Sequence, residues 1–162
     1  MKKMGYWKDD LCPCCKQVAE TCTTHLFLCQ DNSIATLREK EFRDILQWLQ
    51  TVETSPTLIH IITSFWHGKH PNLKIDDSWT YRTVYTTMRE LGVSGMWRGL
   101  LPINTVELQH QYYKLIGSRK CGSKWATEFV GRMLRATHRL WLQRNQILHA
   151  RTEAGIKGHS LM

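Results

Sequence analysis

Apolar residues recur at helical spacing along most of this chain. From Ser33 to about Val52, the residues Ile34, Leu37, Phe42, Ile45, Leu46 and Leu49 fall near one helical face. Arg38, Lys40, Glu41 and Asp44 lie between them as the polar positions. Ser55-Pro56 predicts a fresh start, an N-cap followed by proline at the first helical position. The helix it opens is expected to reach about Trp66 and stop at Gly68, leaving His67 to Pro71 as loop. Asp76, Asp77 or Ser78 can cap a third helix through Trp79, Val84, Met88 and Leu91, which Gly92 ends. Gly92, Gly95 and Gly99 predict a turn or short helix around Trp97, between Val93 and Pro102. Thr105 to Ile116 reads as another helix closed by Gly117, and a long one follows from about Ser123 to His149. No run alternates in the strand manner for long enough to make a sheet. The expected fold is mainly α, a helical bundle.

Composition agrees with a folded unit. With 162 residues and 42% hydrophobic content, one bundle is expected, and seven tryptophans spread from Trp7 to Trp141 give it material to pack. No apolar run approaches the roughly 18 residues of a membrane span. Leu58 to Ile62 is interrupted by His60.

The first thirty residues follow a different chemistry. Trp7 to Cys29 reads WKDDLCPCCKQVAETCTTHLFLC and holds five of the six cysteines. Cys12 and Cys15 form a Cys-x2-Cys pair, which supplies two thiolates from one tight loop. His25 and Cys29 stand one helical turn apart, so both side chains can point the same way from a short helix. Three sulfurs and one nitrogen are a donor set that tetrahedral Zn2+ accepts in closed structural sites. The expected ligands are Cys12, Cys15, His25 and Cys29. Cys22 stands open as an alternative to Cys29, since Cys12, Cys15, Cys22 and His25 also make a set. Cys14, between Pro13 and Cys15, is expected to point away from a metal gripped by its neighbour. Four protein ligands leave no open position, which makes this a folding element. The expected division is a zinc knuckle over 1–31 and a helical domain over 32–162.

The rival readings of these cysteines fit less well. A secreted disulfide framework needs an apolar leader, and MKKMGYWKDDLC has none, so an intracellular, reducing setting is expected. A thioredoxin-like Cys-x2-Cys needs a βαβ context that is lacking here.

Tyr6-Trp7, Cys12-Pro13-Cys14-Cys15, Glu20-Thr21 and His25-Leu26-Phe27-Leu28-Cys29 together resemble the zinc-binding segment that follows the polymerase domain in non-LTR retrotransposon-type reverse transcriptases. Trp141-Leu142-Gln143-Arg144-Asn145 with His149 is similar to the Trp-x-x-Arg-Asn helix that closes many such proteins. The first motif covers about 25 residues, and the second agrees with it in order and distance. No polymerase palm or metal-binding aspartate pair accompanies them. The resemblance implies an accessory module that holds RNA or DNA beside a polymerase partner without synthesis of its own.

Charge points the same way. Residues 1–109 carry 12 Lys or Arg and 12 Asp or Glu, whereas residues 110–162 carry 10 basic and 2 acidic residues, the whole excess of +8. Clustered basic charge matters more for polyanion binding than a diffuse high pI. At about 100° per residue, Arg132, Arg135 and Arg139 form one stripe of the last helix. Phe129, Met133, Ala136, Leu140, Trp141, Ile147 and Leu148 occupy the other side. Lys120 and Lys124, with Lys114 and Arg119, extend the basic surface upstream, and His138 can join it when protonated. The competing readings are a solvated helix face on a protein-interaction or scaffold module, and an inactive retroelement fragment.

Arg144 falls within the apolar arc, between Leu140 and Leu148, and predicts a partnered guanidinium, with Glu90 or Glu107 as candidates. His67 and His70 read as ordinary polar loop residues, and Cys121 as a plain thiol. No Gly-rich phosphate loop, Ser-His-Asp order or paired carboxylate motif is present, so no catalysis is expected.

Overall fold

The computed structural model describes residues 11–17, 25–67 and 79–159. Six helices are found there and no strand: α1 His25–Leu28, α2 Asn32–Thr51, α3 Pro56–Trp66, α4 Trp79–Trp97, α5 Ile103–Leu115 and α6 Gly122–His159. The fold is mainly α, as the hydrophobic period predicts. No helix among the described residues is long and apolar enough to cross a membrane. His70, the 68–71 loop and the Asp76, Asp77 and Ser78 capping positions lie outside the described residues.

The chain forms two compact units, one of residues 1–39 with 138–162, the other of residues 40–137. The unit that holds the cysteine cluster therefore also takes in the second half of α6.

Within the 40–137 unit, the faces predicted from spacing are the ones buried. Phe42, Ile45 and Leu49 of α2, Leu58, Ile61, Ile62 and Phe65 of α3, and Val84 and Met88 of α4 all lie in the core. Trp125, Phe129, Met133 and Ala136 of α6 join them. Aromatic rings fill much of this space. Phe42 stacks on Trp66 with centroids 4.4 Å apart, and Trp66 tilts against Trp97 at 4.2 Å. Glu41 is a departure, a carboxylate only 2% exposed where the spacing placed a polar surface position.

The α2–α3 corner is held by three side chains from later in the chain. Gln109, fully buried, accepts from Ser55 N–H through Oε1 at 2.8 Å and donates through Nε2 to Glu53 O at 3.2 Å. Tyr113 Oη donates to Val52 O at 2.7 Å, and Trp125 Nε1 donates to Thr54 Oγ1 at 2.8 Å. Glu53 sits at φ 58°, a left-handed residue that ends α2 as the C′ position of a Schellman turn. Its turn bonds are Thr54 N–H to Leu49 O and Glu53 N–H to Gln50 O. Ser55 stands at the N-cap of α3 with Pro56 next, but its hydroxyl makes no capping hydrogen bond. Its backbone N–H goes to Gln109 instead.

Two glycines fix the path of the later helices. Gly92 adopts φ 66° and ψ 175° inside α4, so the helix that was expected to end there does break. A second helical piece resumes directly and carries Met96 and Trp97 into the core, in place of an open turn. Gly122 starts α6 so close to α5 that a β-carbon would lie 2.7 Å from Val106 O and 2.9 Å from His110 Cβ. The helix then continues to His159, ten residues past the expected end. Nothing between His149 and His159 breaks it: the two glycines there, Gly155 and Gly158, cost only about 1 kcal/mol each.

Candidate metal centre

The Cys-x2-Cys pair lies in a short turn closed by the Lys16 N–H to Cys12 O bond at 2.8 Å, with Lys16 at φ 55°. His25 opens the single turn of α1, and Cys29 follows it directly. Behind Cys29, Asp31 caps α2. Its Oδ1 accepts from Ser33 Oγ at 2.6 Å, Ser33 N–H at 3.0 Å and Ile34 N–H at 3.3 Å. The Ser33 hydroxyl is the main cause that holds the Asp31 carboxyl below its usual range. This cap fixes the chain two residues after Cys29 and so fixes the approach of its sulfur.

Four donors converge here. Sγ of Cys12, Cys15 and Cys29 and a ring nitrogen of His25 lie within 4.8 Å of one another. Cys12 Sγ and Cys29 Sγ are 3.8 Å apart, and Cys15 Sγ is 3.4 Å from His25 Nε2. A disulfide would need about 2.05 Å, and all of these cysteines are free thiols. Cys12, Cys29 and His25 are buried and Cys15 is half-buried. Burial pushes the Cys29 thiol up to about 12, and the neighbouring sulfurs of Cys12 add to it. Crowded buried thiols of this kind ionise together only around a cation. The arrangement is a candidate site for one metal ion, and its donors are the Cys12, Cys15, His25 and Cys29 set. Cys22, the alternative fourth ligand, lies outside the described residues.

Cys14 is buried but stands apart from the four donors, as its place between Pro13 and Cys15 implies. Burial pushes its thiol up to about 12.

Two arginines secure the backbone around this centre, and a third, Arg144, acts there through its charge. Arg38 Nη1 donates to Cys29 O at 3.0 Å, and Arg151 Nη2 donates to Cys14 O at 3.1 Å. Arg144 is half-buried, and its charge favours the Cys14 thiolate. This corrects the expectation for Arg144 in one respect: it is not enclosed in an apolar arc. The helix arithmetic failed because the apolar stripe of α6 ends at Leu140. Trp141 is 50% exposed, against the expectation that it packs, and Ile147 and Leu148 are half-buried. Arg38 and Arg151 were overlooked because backbone carbonyls are their partners, and spacing says nothing about where a loop carbonyl will point.

The basic residues are placed unevenly. Arg132 covers the Trp48 ring at 4.7 Å from its centroid and sets Nε 3.1 Å from Glu128 Oε1. That contact is an ion pair whose angle is too poor for a hydrogen bond, since Nε is otherwise unsatisfied. Arg135 reaches the same carboxylate at 3.8 Å. Arg139 is exposed on the part of α6 that belongs to the unit of the cysteine cluster. Lys120 pairs with Glu53 at 2.7 Å, and Lys124 is exposed at the first turn of α6. Glu128, one of only two acidic residues in the basic third of the chain, thus answers two of the three stripe arginines.

The chain matches no protein-family model, no curated protein and no solved structure.

Proposed function

We propose that the chain is a zinc-stabilised accessory module that binds nucleic acid. The metal half of the reading is carried by the edges of the donor cluster. Around zinc, bonds of about 2.3 Å to sulfur and 2.0–2.1 Å to nitrogen give tetrahedral edges of about 3.8 Å for S···S and about 3.5 Å for S···N. Two of the six edges are 3.8 Å and 3.4 Å, and all lie within 4.8 Å. Three thiolates and an imidazole also favour zinc over the harder cations that prefer oxygen. Holding no open coordination position, the ion supplies folding free energy and no chemistry of its own.

The nucleic-acid half rests on the concentration of the entire +8 excess in residues 110–162. Lys124 and Arg119 offer exposed cations for phosphates, and Arg135 and Arg139 are exposed on α6 as well, whereas Arg132 and Lys120 are held in ion pairs with Glu128 and Glu53. The likeness of the Cys-Pro-x-Cys and Trp-x-x-Arg-Asn segments to retroelement reverse transcriptases supports a place beside a polymerase. Metal analysis of purified protein tests the first half, with about one zinc per chain expected. Binding to RNA and DNA across a salt series tests the second, with log affinity falling by about 0.7 to 0.9 per phosphate contact for each log unit of salt.

A protein-interaction module is the second reading. It is favoured by Trp141 and Leu142, which are 50% and 44% exposed on α6. That reading expects only weak, general attraction to polyanions.

A further inference from the structure

A second site of different character lies within the 40–137 unit, where α6 begins. A cavity of about 350 Å3 is walled by Trp48 of α2, Tyr113 of α5 and Trp125 of α6. Arg119, Lys120 and Lys124 line it as well. Its walls are stiff. Trp125 is fixed by its bond to Thr54 and by stacking on Phe129 at 5.5 Å, and Tyr113 by its bond to Val52. The Arg132 guanidinium braces the Trp48 ring.

The charges have separate duties. Lys120 is held by Glu53, whereas Arg119 and Lys124 have no carboxylate partner among the described residues. Glu128 also lines the cavity, but Arg132 and Arg135 answer its charge. The first turn of α6 turns its N–H groups toward the Cys121 sulfur. The backbone N–H groups of Lys124 and Ser123 pull the Cys121 thiol below its usual range, so this end of the helix favours negative charge.

Aromatic walls with cations beside them suit a ligand that is itself a flat ring joined to an anion. Tyr113 and Trp125 are buried and close the floor, while the half-buried Trp48 is the ring a ligand can meet. A purely anionic ligand, such as an acidic peptide, would use the cations and leave Trp48 bare. The volume lies at the small end of ligand pockets, about 300–1,000 Å3, which suits one nucleobase better than a larger cofactor. Stacked, paired bases in a duplex have no free face to offer such walls, whereas an unpaired base does.

We propose that this cavity receives one unpaired base of a single-stranded nucleic acid, with a flanking phosphate against Arg119 and Lys124. The assignment rests on the nucleic-acid reading above and narrows it to single strands and to one place on the surface.

The test uses the full zinc-loaded chain and a short RNA of mixed sequence carrying 2-aminopurine, free and annealed to its complement. The single strand is expected to bind at least about tenfold more tightly than the duplex, with the 2-aminopurine fluorescence quenched. Trp48→Leu should abolish the quenching and weaken binding by about tenfold, within the range seen when a stacking ring is removed. Should Trp48→Leu disturb the fold by circular dichroism, the exposed pair Arg119→Ala and Lys124→Ala decides. That double variant should flatten the single-strand salt slope by about 1.4. Equal affinity for strand and duplex without quenching, and with loss only in Arg135→Gln and Arg139→Gln, overturns the base pocket and keeps nucleic-acid binding. No binding to either RNA at low salt overturns both.

Discussion

Cys14 and Cys15 are neighbours in sequence with opposite roles. Cys15 faces His25 in the donor cluster, while Cys14 stays a buried thiol held up to about 12 by desolvation. Cys14→Ala should therefore keep one metal per chain, whereas Cys15→Ser and Cys29→Ser should lose it by elemental analysis. Cys22→Ser separates the two ligand sets. Full retention of metal fits Cys29 as fourth ligand, and loss in Cys22→Ser with retention in Cys29→Ser would replace it. Gly122 makes a steric prediction of another kind. With Val106 O only 2.7 Å from where a β-carbon would sit, Gly122→Ala must push α6 away from α5. A cost of about 1 to 3 kcal/mol is expected, read from urea unfolding, although alanine is otherwise the better helix former.

At the scale of elements, much was legible in the sequence. Helices α2 and α3 were readable because their apolar positions hold one period, whereas α5 was readable from its stop at Gly117 and buries Thr105, Gln109 and Tyr113. The break at Gly92 was readable too, and of the turn or short helix expected after it the chain takes the short helix. Spacing misjudged α6 beyond Leu140, where Trp141, Leu142, Ile147 and Leu148 fall on several faces and the polar contacts go to loop carbonyls. The donor set was legible because ligand spacing is itself the geometry of a loop and one helical turn. Its arginine supports were not, since a guanidinium bonded to a carbonyl leaves no pattern. Those supports make α6 dependent on the metal. Arg151 grips Cys14 O, so chelation of the ion should loosen the loop and release that anchor. Amide exchange is expected to quicken in the part of α6 after Arg144 and to stay slow from Trp125 to Ala136. Uniform protection of α6 after chelation would show that the anchor holds without metal.

For the molecule as a whole, protons and salt act on separate features. Metal binding displaces protons from thiols such as Cys29, whose folded value without an ion is raised to about 12, so affinity should rise with pH and occupancy should fall on acidification. A dye-competition titration between neutral and mildly acidic pH checks that direction, and pH-independent affinity would contradict thiolate ligation. Salt should act on the basic third of the chain. Arg135→Gln with Arg139→Gln is the cleaner probe there, because Arg132 also covers Trp48, a contact worth about 0.5 to 1 kcal/mol at a partly exposed site. The double variant should flatten the salt slope by roughly 1.4 to 1.8 with an unchanged melting temperature.

The corner between α2 and α3 has a consequence for the order in which this chain folds. Its hydrogen bonds to Gln109, Tyr113 and Trp125 join residues 54, 56, 61 and 71 positions apart. Contacts of that separation pay their loop-closure entropy before they return any stability, and they form late. During synthesis, α2 and α3 leave the ribosome long before Trp125 exists, so the nascent corner has none of these bonds to set its angle. Substitutions such as Gln109→Ala should then speed unfolding while hardly slowing refolding. A chain stopped short of α5 would carry both helices with none of these four bonds between them.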